Sequence, residues 1–208
     1  MNIEDFIFKS QDNTNTTHRR NAVYAVTAWL LITLLLASKH VFWRDEVRAL
    51  LIATQGDNLF EMLKGLHGEG HPAVWYILLR AANTILSSTV ALPATSMLVA
   101  LVAMALISFR SPFSWPLIGA FLFGRASVYE YSVMTRNYGI SVVLMFTFSW
   151  LYPRYRYKGV ALGSILFLLA NCNLHSVILV AMFLLFWLID ISPAAAQRKL
   201  DTYNNFLL

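Results

Sequence analysis

Two adjacent carboxylates follow the first long apolar run of the chain, in the sequence Phe-Trp-Arg-Asp-Glu at residues 42–46. Asp45 and Glu46 would lie in the first turn of a helix, where the positive end of the helix dipole keeps a carboxylate ionised. An ionised carboxylate near the lipid headgroups suits a general base, and the neighbouring Arg44 could contact a phosphate. The alternative is purely structural, because an N-capping aspartate followed by a first-turn glutamate begins many helices.

Alternating histidine and glutamate residues come next, in Leu-His-Gly-Glu-Gly-His-Pro at residues 66–72. His67, Glu69 and His71 lack the spacing of the helical zinc motif, and a glycine-rich loop does not fix ligand geometry in advance. Histidine side chains and glycine amides can both donate hydrogen bonds to an oxyanion. We therefore predict no metal site here and assign Glu69 and His71 to the binding of a phosphate or a sugar.

An arginine and a tyrosine two residues apart begin another apolar run, in Thr-Arg-Asn-Tyr-Gly at residues 135–139. The guanidinium of Arg136 stays charged and matches phosphate oxygens in a bidentate manner, so Arg136 and Tyr138 could hold a lipid phosphate. Both residue types also anchor helices at headgroup depth, which is the structural alternative. His175 lies at the end of a later apolar run, where a lone histidine is more often a helix-packing residue.

Apolar runs dominate the rest of the chain and must position these residues. Of the 208 residues, 58% are hydrophobic and 13% are charged, which is unusual for a soluble domain of this length. Several runs approach the ~20 residues that a helix needs to cross the hydrocarbon core. The single cysteine, Cys172, lies within an apolar stretch, so no intrachain disulfide can form. Six stretches are predicted to span the membrane, at about 21–38, 91–109, 114–129, 138–152, 159–173 and 176–191.

A polar insert, residues 39–90, separates the first predicted span from the second. Its first amphipathic piece, Asp45 to Leu63, is predicted to be a helix lying on the membrane surface. Its second piece, Pro72 to Leu86, begins with a proline suited to a helix start, and we place it beside the membrane rather than across it. The fold class is therefore an all-α integral membrane protein, a polytopic bundle of about six spanning helices with two juxtamembrane helices in the first outer loop.

The distribution of charge orients this bundle. If residues 72–86 do not cross, the basic residues within 18–20, 110, 154–158 and 198–199 share one side, as the positive-inside rule requires. Cytoplasmic loops then explain the net charge of +5, and no nucleic acid partner is expected. Residues 1–20 become a cytoplasmic tail and residues 21–208 one transmembrane module of a bacterial inner or plasma membrane. The opposite side collects the residues suited to chemistry: Arg44, Asp45, Glu46, Glu69, His71, Glu130, Arg136, Tyr138 and His175.

Taken in order, these motifs resemble the GT-C superfamily of membrane glycosyltransferases, which includes aminoarabinose transferases and protein O-mannosyltransferases. The resemblance is carried by Trp-Arg-Asp-Glu at 43–46, Glu-Gly-His-Pro-Ala-Val-Trp-Tyr at 69–76, Arg-Asn-Tyr at 136–138 and Asn-Leu-His-Ser at 173–176. It implies that Asp45 is the catalytic base, with Glu46 as its neighbour and substitute. It also implies an acid in the second outer loop, for which Glu130 is the candidate, although many relatives have this acid closer to the arginine.

The resemblance implies transfer of a sugar from a polyprenyl-phosphate donor to a lipid, glycan or protein acceptor at the outer membrane face. It implies no obligatory cofactor, although some relatives use a divalent metal at paired acids. Relatives usually continue through further spanning helices, so this chain corresponds to their N-terminal module. The alternative is a non-catalytic lipid-binding or scaffold subunit, or half of a split enzyme, that pairs with another membrane chain. A transporter or channel fits less well, because the ionisable residues fall at the ends of the predicted spans.

Overall fold

The computed structural model describes residues 15–67, 69, 72–86 and 88–192, and its regular structure within these ranges is helical. One π-helical turn, Ala126–Glu130, lies between the α-helix that ends at Leu122 and the α-helix that begins at Tyr138. In chain order the α-helices are α1 Asn15–Ala37, α2 Arg44–Ala53, α3 Leu59–Gly65, α4 Val74–Asn83, α5 Ser88–Arg110, α6 Trp115–Leu122, α7 Tyr138–Tyr155, α8 Gly159–Ala170 and α9 Leu174–Ile191. The predicted all-helical class is therefore confirmed for the part of the chain that the structure describes.

Three of these helices are long and apolar enough to cross a membrane. Their apolar windows lie at Thr16–Ala37 in α1, Thr89–Arg110 in α5 and Leu174–Ile191 in α9. Only 6% of the α9 window is buried inside the protein, so most of its large apolar side chains face outward. A surface of this kind is stable in lipid and unfavourable in water. These features indicate a membrane protein.

The other three predicted spans are not among these candidates, and two of them are short or broken. Helix α8 has 12 residues, a length of about 18 Å, whereas the hydrocarbon core is about 30 Å thick. The predicted span 114–129 is not one helix, because α6 ends at Leu122 and the chain passes through Gly124 before the π-helical turn. Glycine and a charged arginine, Arg125, both weaken a continuous apolar helix at this point. Among the described residues, length and composition therefore identify three candidate spans, and the six predicted spans are not confirmed.

Long-range contacts distinguish two ends of the bundle. At one end, the His18 imidazole in the first turns of α1 lies 2.9 Å from the Ser108 carbonyl near the end of α5. Helix α1 thus begins inside the predicted tail of residues 1–20, and His18 is buried. At the other end, the Asn137 side chain donates a 2.8 Å hydrogen bond to the Cys172 carbonyl, which joins the start of α7 to the start of α9. Several residues that the sequence singled out as candidates for catalysis or binding, among them Asp45 and Arg136, lie at this second end. We call it the α7 N-terminal end.

The described part of the insert between α1 and α5 contains three short helices, whereas the sequence predicted two. The piece expected as one helix from Asp45 to Leu63 divides into α2 and α3. Gly56, with φ of 68°, turns the chain in a conformation that other residues rarely adopt. The Asn58 side chain then accepts a 3.0 Å hydrogen bond from the Glu61 amide and caps α3, which stabilises a new helix start.

Helix α4 packs beside the bundle and is too short to cross a membrane. Its 10 residues correspond to a length of about 15 Å. The Arg80 guanidinium donates hydrogen bonds to the carbonyls of Ala53, Gln55 and Gly56, at 3.2, 2.9 and 3.0 Å. These carbonyls end α2, where the helix dipole favours a cation. Arg80 therefore holds α4 against α2, and both helices contact α5.

Candidate functional site

A cavity of about 220 Å³ opens at the α7 N-terminal end, between α2, α4 and the segment before α7. Four of the residues singled out in the sequence line it: Asp45, Glu69, Arg136 and Tyr138. They come from three separate stretches of chain, and the helices α2, α4 and α7 bring them to one place. The other lining residues are Arg48, Ala49, Ile52, Trp75, Tyr76, Thr135 and Asn137.

Asp45 and Arg136 form an ion pair on the wall of this cavity. Arg136 Nη2 lies 2.5 Å from Asp45 Oδ2, across 91 positions of sequence. The Asp45 side chain is 55% exposed and that of Arg136 is 28% exposed, so both remain accessible to a ligand. A carboxylate and a guanidinium side by side can bind a hydroxyl and a phosphate of one ligand at adjacent points.

A second ion pair lines the same cavity. Arg48 Nη2 lies 2.5 Å from Glu69 Oε1, and the Glu69 side chain is mostly buried. Arg48 is not part of any motif singled out in the sequence, although it follows Asp45 by three residues and therefore lies on the same face of α2. Because each carboxylate in the cavity is neutralised by an arginine, the cavity has no excess negative charge.

A divalent cation does not fit this charge balance. In the part of the chain that the structure describes, no three His, Cys, Asp or Glu side chains are grouped so that they could hold a metal ion. Asp45 and Glu69 each face a guanidinium, which would repel a metal and compete for the oxygen ligands.

Trp75 lines the cavity and is almost fully buried, with 3% of its surface exposed. Its indole N–H has no hydrogen-bond partner among the residues that the structure describes. Buried indole N–H groups usually have a partner, so an acceptor from a ligand or a water molecule that reached this group would be stabilised. The neighbouring Tyr76 has its pKa raised, first by burial and then by the negative charge of Glu69. The sequence signal for Trp75 was its place in the 69–76 motif, which assigned it no role.

Glu46 lies behind the cavity wall rather than in it. Its side chain is fully buried, and its oxygens accept hydrogen bonds from the Trp43 amide at 2.6 Å and the Thr135 amide at 2.6 Å. The Thr135 hydroxyl donates at 3.0 Å, and His40 Nε2 lies 3.0 Å from Oε2. A carboxylate so enclosed has no access to a substrate, which corrects the expectation that Glu46 can substitute for Asp45 as a base. Its position suits a structural role, joining the start of α2 to the residue before Arg136.

His40 extends this buried network and was not selected from the sequence. The Tyr129 hydroxyl in the π-helical turn lies 3.2 Å from His40 Nδ1, and the two rings meet edge to face. The π-helical turn is stabilised by the Tyr131 amide, which donates to the Ala126 carbonyl at 2.8 Å. This wide turn brings Tyr129 to the end of α1, next to the Glu46 carboxylate.

Hydrogen bonding keeps Glu46 ionised. Burial alone would raise the pKa of its carboxyl group, but donors from the Trp43 backbone, the Thr135 backbone and the His40 side chain together outweigh burial. The pKa of Glu46 is therefore lowered from its ordinary value. Through its bonds to the Trp43 and Thr135 amides, ionised Glu46 fixes the position of the start of α2 relative to the segment that carries Arg136.

The other predicted site residues that the structure describes, Arg44, Glu130 and His175, lie outside this cavity. Arg44 is 94% exposed, with Nε 4.0 Å from Asp45 Oδ1. Glu130 pairs with the exposed Arg125 at 3.4 Å. Glu130 and His175 line a second cavity, of about 430 Å³, on the other side of Tyr138. His71 lies outside the described residues.

The Asn-Leu-His-Ser motif has a structural part. The Asn173 side chain accepts a hydrogen bond from the Ser176 amide at 2.9 Å and donates to the Ser141 hydroxyl at 2.8 Å. These bonds cap α9 and join it to α7, whereas the His175 side chain is exposed beside them.

Comparison of the chain with known protein families, with curated proteins and with solved structures finds no match. The resemblance to membrane glycosyltransferases therefore depends on the sequence motifs alone.

Proposed function

We propose that this chain is a membrane glycosyltransferase of GT-C type that uses a polyprenyl-phosphate sugar donor. The observation that carries the proposal is the Asp45–Arg136 pair on the wall of a small cavity at one end of an apolar bundle. A transferase of this class needs a base for the acceptor, a cation for the donor phosphate and an apolar surface for the lipid chain. In this proposal Asp45 is the base and Arg136 is the cation. The exposed apolar side chains of Trp43, Val47 and Leu51 provide the lipid surface.

In the proposed reaction, Asp45 accepts the proton of an acceptor hydroxyl while that oxygen bonds to the anomeric carbon of the sugar. The bond from the anomeric carbon to the phosphate oxygen breaks, and polyprenyl phosphate leaves with its electron pair. Arg136, which pairs with Asp45 before the ligands bind, turns to the departing phosphate and stabilises its negative charge. The ion pair thus keeps both groups charged and adjacent until the substrate separates them.

Two further groups of the cavity have roles in this proposal. The unpaired Trp75 N–H donates to a sugar oxygen, and its ring offers an apolar face to the pyranose. Tyr138 lies between this cavity and the cavity lined by Glu130 and His175. The donor and the acceptor, a lipid, glycan or protein, would approach Tyr138 from opposite sides.

The proposed membrane arrangement has six crossings, with α6 and the π-helical turn, α7 and α8 completing those made by α1, α5 and α9. The N-terminus is cytoplasmic in this arrangement, and the cavity faces the outer side of a bacterial inner or plasma membrane. Helix α2 supports an interfacial position, because Trp43, Val47 and Leu51 follow one another at four-residue spacing and are exposed. An apolar stripe of this kind suits the boundary between headgroups and acyl chains.

Binding of a polyprenyl phosphate to the purified protein in nanodiscs tests the donor site. Arg136→Gln should weaken binding by about 10-fold to 100-fold, because a charge-assisted contact to phosphate is lost. The matched control is Arg44→Gln, which removes an equal charge from an exposed side chain nearby and should change binding by less than about threefold. Equal effects of both variants would show that the phosphate responds to overall charge and not to the cavity.

A non-catalytic, lipid-binding or scaffold subunit is the second candidate. Glu130, the acid that the resemblance places in the second outer loop, pairs with Arg125 outside the Asp45 cavity. A protein that binds polyprenyl phosphate through Arg136 but transfers no sugar, alone or with another membrane chain added, would fit this function.

A further inference from the structure

A third cavity, which is mostly apolar, lies near the opposite end of the bundle from Asp45. Its volume is about 410 Å³, and it is bounded by the end of α5, the following connection, α7 and α9. Its apolar walls include Ile107, Phe146 and Phe183. Nothing in the proposed sugar transfer uses it.

A cation without a carboxylate partner lies at the rim of this cavity. Arg110 is the last residue of α5 and is exposed, and its guanidinium carbon lies 4.9 Å from the centre of the Trp150 ring. Arg19 and Arg110 line a neighbouring depression together with His18 and Phe109. In the described ranges of the chain, the ion pairs of carboxylates involve neither Arg19 nor Arg110. The Asp45 cavity differs, because both of its arginines face acids.

We propose that this cavity binds one anionic phospholipid, with an acyl chain against Ile107, Phe146 and Phe183 and the phosphate against Arg110. Arg110 ends a helix that is long enough to span a membrane, so its guanidinium lies at headgroup depth. Trp150 beside it is a residue type enriched at the same depth. An apolar pocket below an unneutralised cation matches a lipid that carries a negative phosphate above an acyl chain. The site is independent of the proposed transferase activity.

Quenching of tryptophan fluorescence by brominated lipids tests this site on the full chain. The protein is placed in phosphatidylcholine vesicles that contain a small, equal fraction of brominated phosphatidylglycerol or brominated phosphatidylcholine. A bromine atom quenches a tryptophan only on close contact, and Trp150 lines the cavity. We expect the anionic lipid to be preferred about fivefold, the effect of one basic side chain near an anionic headgroup. Trp150→Phe should remove this excess quenching.

Two matched pairs of variants separate the cavity from general surface charge. Arg110→Gln should abolish the preference and Arg110→Lys should keep most of it, whereas Arg154→Gln should leave it unchanged. Arg154 is a suitable control because its guanidinium lies over Tyr155 instead, 5.8 Å from the ring centre. Ser149→Phe fills the cavity and should also remove the preference, whereas Ser164→Phe should not. Both serines donate a 2.9 Å hydrogen bond to the carbonyl four residues earlier, but Ser164 lies on α8 outside the cavity.

Several results would overturn the proposal. Equal quenching by the two brominated lipids would mean that the cavity does not select a negative headgroup. An Arg154→Gln effect as large as that of Arg110→Gln would assign the preference to the surface as a whole. Displacement by soluble glycerol phosphate would mean that a free phosphate ester binds instead of a lipid. Protection of Trp150 from both lipids would mean that a second copy or another segment of this chain covers the cavity.

Discussion

Asp45→Asn is expected to lower sugar transfer by about 10²-fold to 10⁴-fold, the usual contribution of a general base. Asparagine keeps the size of the side chain but cannot accept the proton of the acceptor hydroxyl. The expected loss is in kcat, because the Arg136 guanidinium remains available for the donor phosphate. The measurement is transfer of labelled sugar from polyprenyl-phosphate donors in membranes that contain the protein.

Asp57→Asn is the matched control for this prediction. Asp57 belongs to the same insert between α1 and α5 and is exposed, but it does not line the cavity. We expect less than a twofold effect, since surface substitutions away from a site are nearly neutral. Transfer that survives Asp45→Asn unchanged would show that another group is the base.

Glu46→Ala is expected to lower the free energy of unfolding by about 3–5 kcal/mol, because it leaves buried donors without their charged acceptor. The amides of Trp43 and Thr135 would lose their bonds, and His40 would lose its carboxylate partner. Thermal or denaturant unfolding in detergent measures the change. Glu130→Ala provides the control, because its ion pair with Arg125 is exposed and should contribute less than about 1 kcal/mol. Similar losses in both variants would contradict the structural role of Glu46.

The same carboxylate predicts a pH dependence. The pKa of Glu46 is lowered in the folded protein from its ordinary value of 4.5. Its ionisation therefore stabilises the fold fully above this pH, and the stabilisation is lost as pH falls toward the folded pKa. The difference in stability between the wild type and Glu46→Gln should accordingly shrink as pH drops below 4.5. A difference that stays constant with pH would mean that folding does not lower the pKa of Glu46.

The sequence identified the stretches of chain that contribute residues to the cavity. It was less informative about the helix ends and the buried hydrogen bonds within these stretches. The order of apolar runs and basic loops predicts that Asp45 and Arg136 lie on the same side of the membrane. In the structure their side chains are in contact. Their contact depends on the short helix α2 and on the segment before α7. The spacing of apolar residues predicts the approximate positions of α2 and of the segment before α7. It does not predict their ends, because this spacing is a local property of the sequence.

Buried polar contacts were not predictable from the sequence. The adjacent carboxylates of Asp45 and Glu46 cannot be told apart from the sequence. In the structure Asp45 lines the cavity, whereas Glu46 is enclosed by hydrogen-bond donors such as the Thr135 amide, 89 residues away. A carboxylate that binds distant backbone amides leaves no local pattern in the chain. The same holds for Trp75. Its indole N–H has no hydrogen-bond partner among the described residues, and the sequence alone does not show which acceptors lie near it.

Two errors concern helix continuity, and local signals for both were present. Gly56 and Asn58 separate α2 from α3, and a Gly-Asp-Asn sequence is typical of a turn. Gly124 and Arg125 lie where the predicted span 114–129 breaks. In each case the apolar residues on both sides favour one helix, but the glycine and its polar neighbours end the first helix between them.

Photolabelling of the wild-type protein tests the central claim most directly. The probe is a polyprenyl phosphate with a diazirine in its first isoprene unit, applied in nanodiscs, with labelled peptides identified by mass spectrometry. We predict labels within residues 45–52, 74–76 and 135–138, suppressed by unlabelled polyprenyl phosphate but not by the corresponding polyprenol. Labels concentrated on residues 106–113 and 145–150 at the opposite end, or suppressed equally by both competitors, would contradict a phosphate site at Asp45 and Arg136.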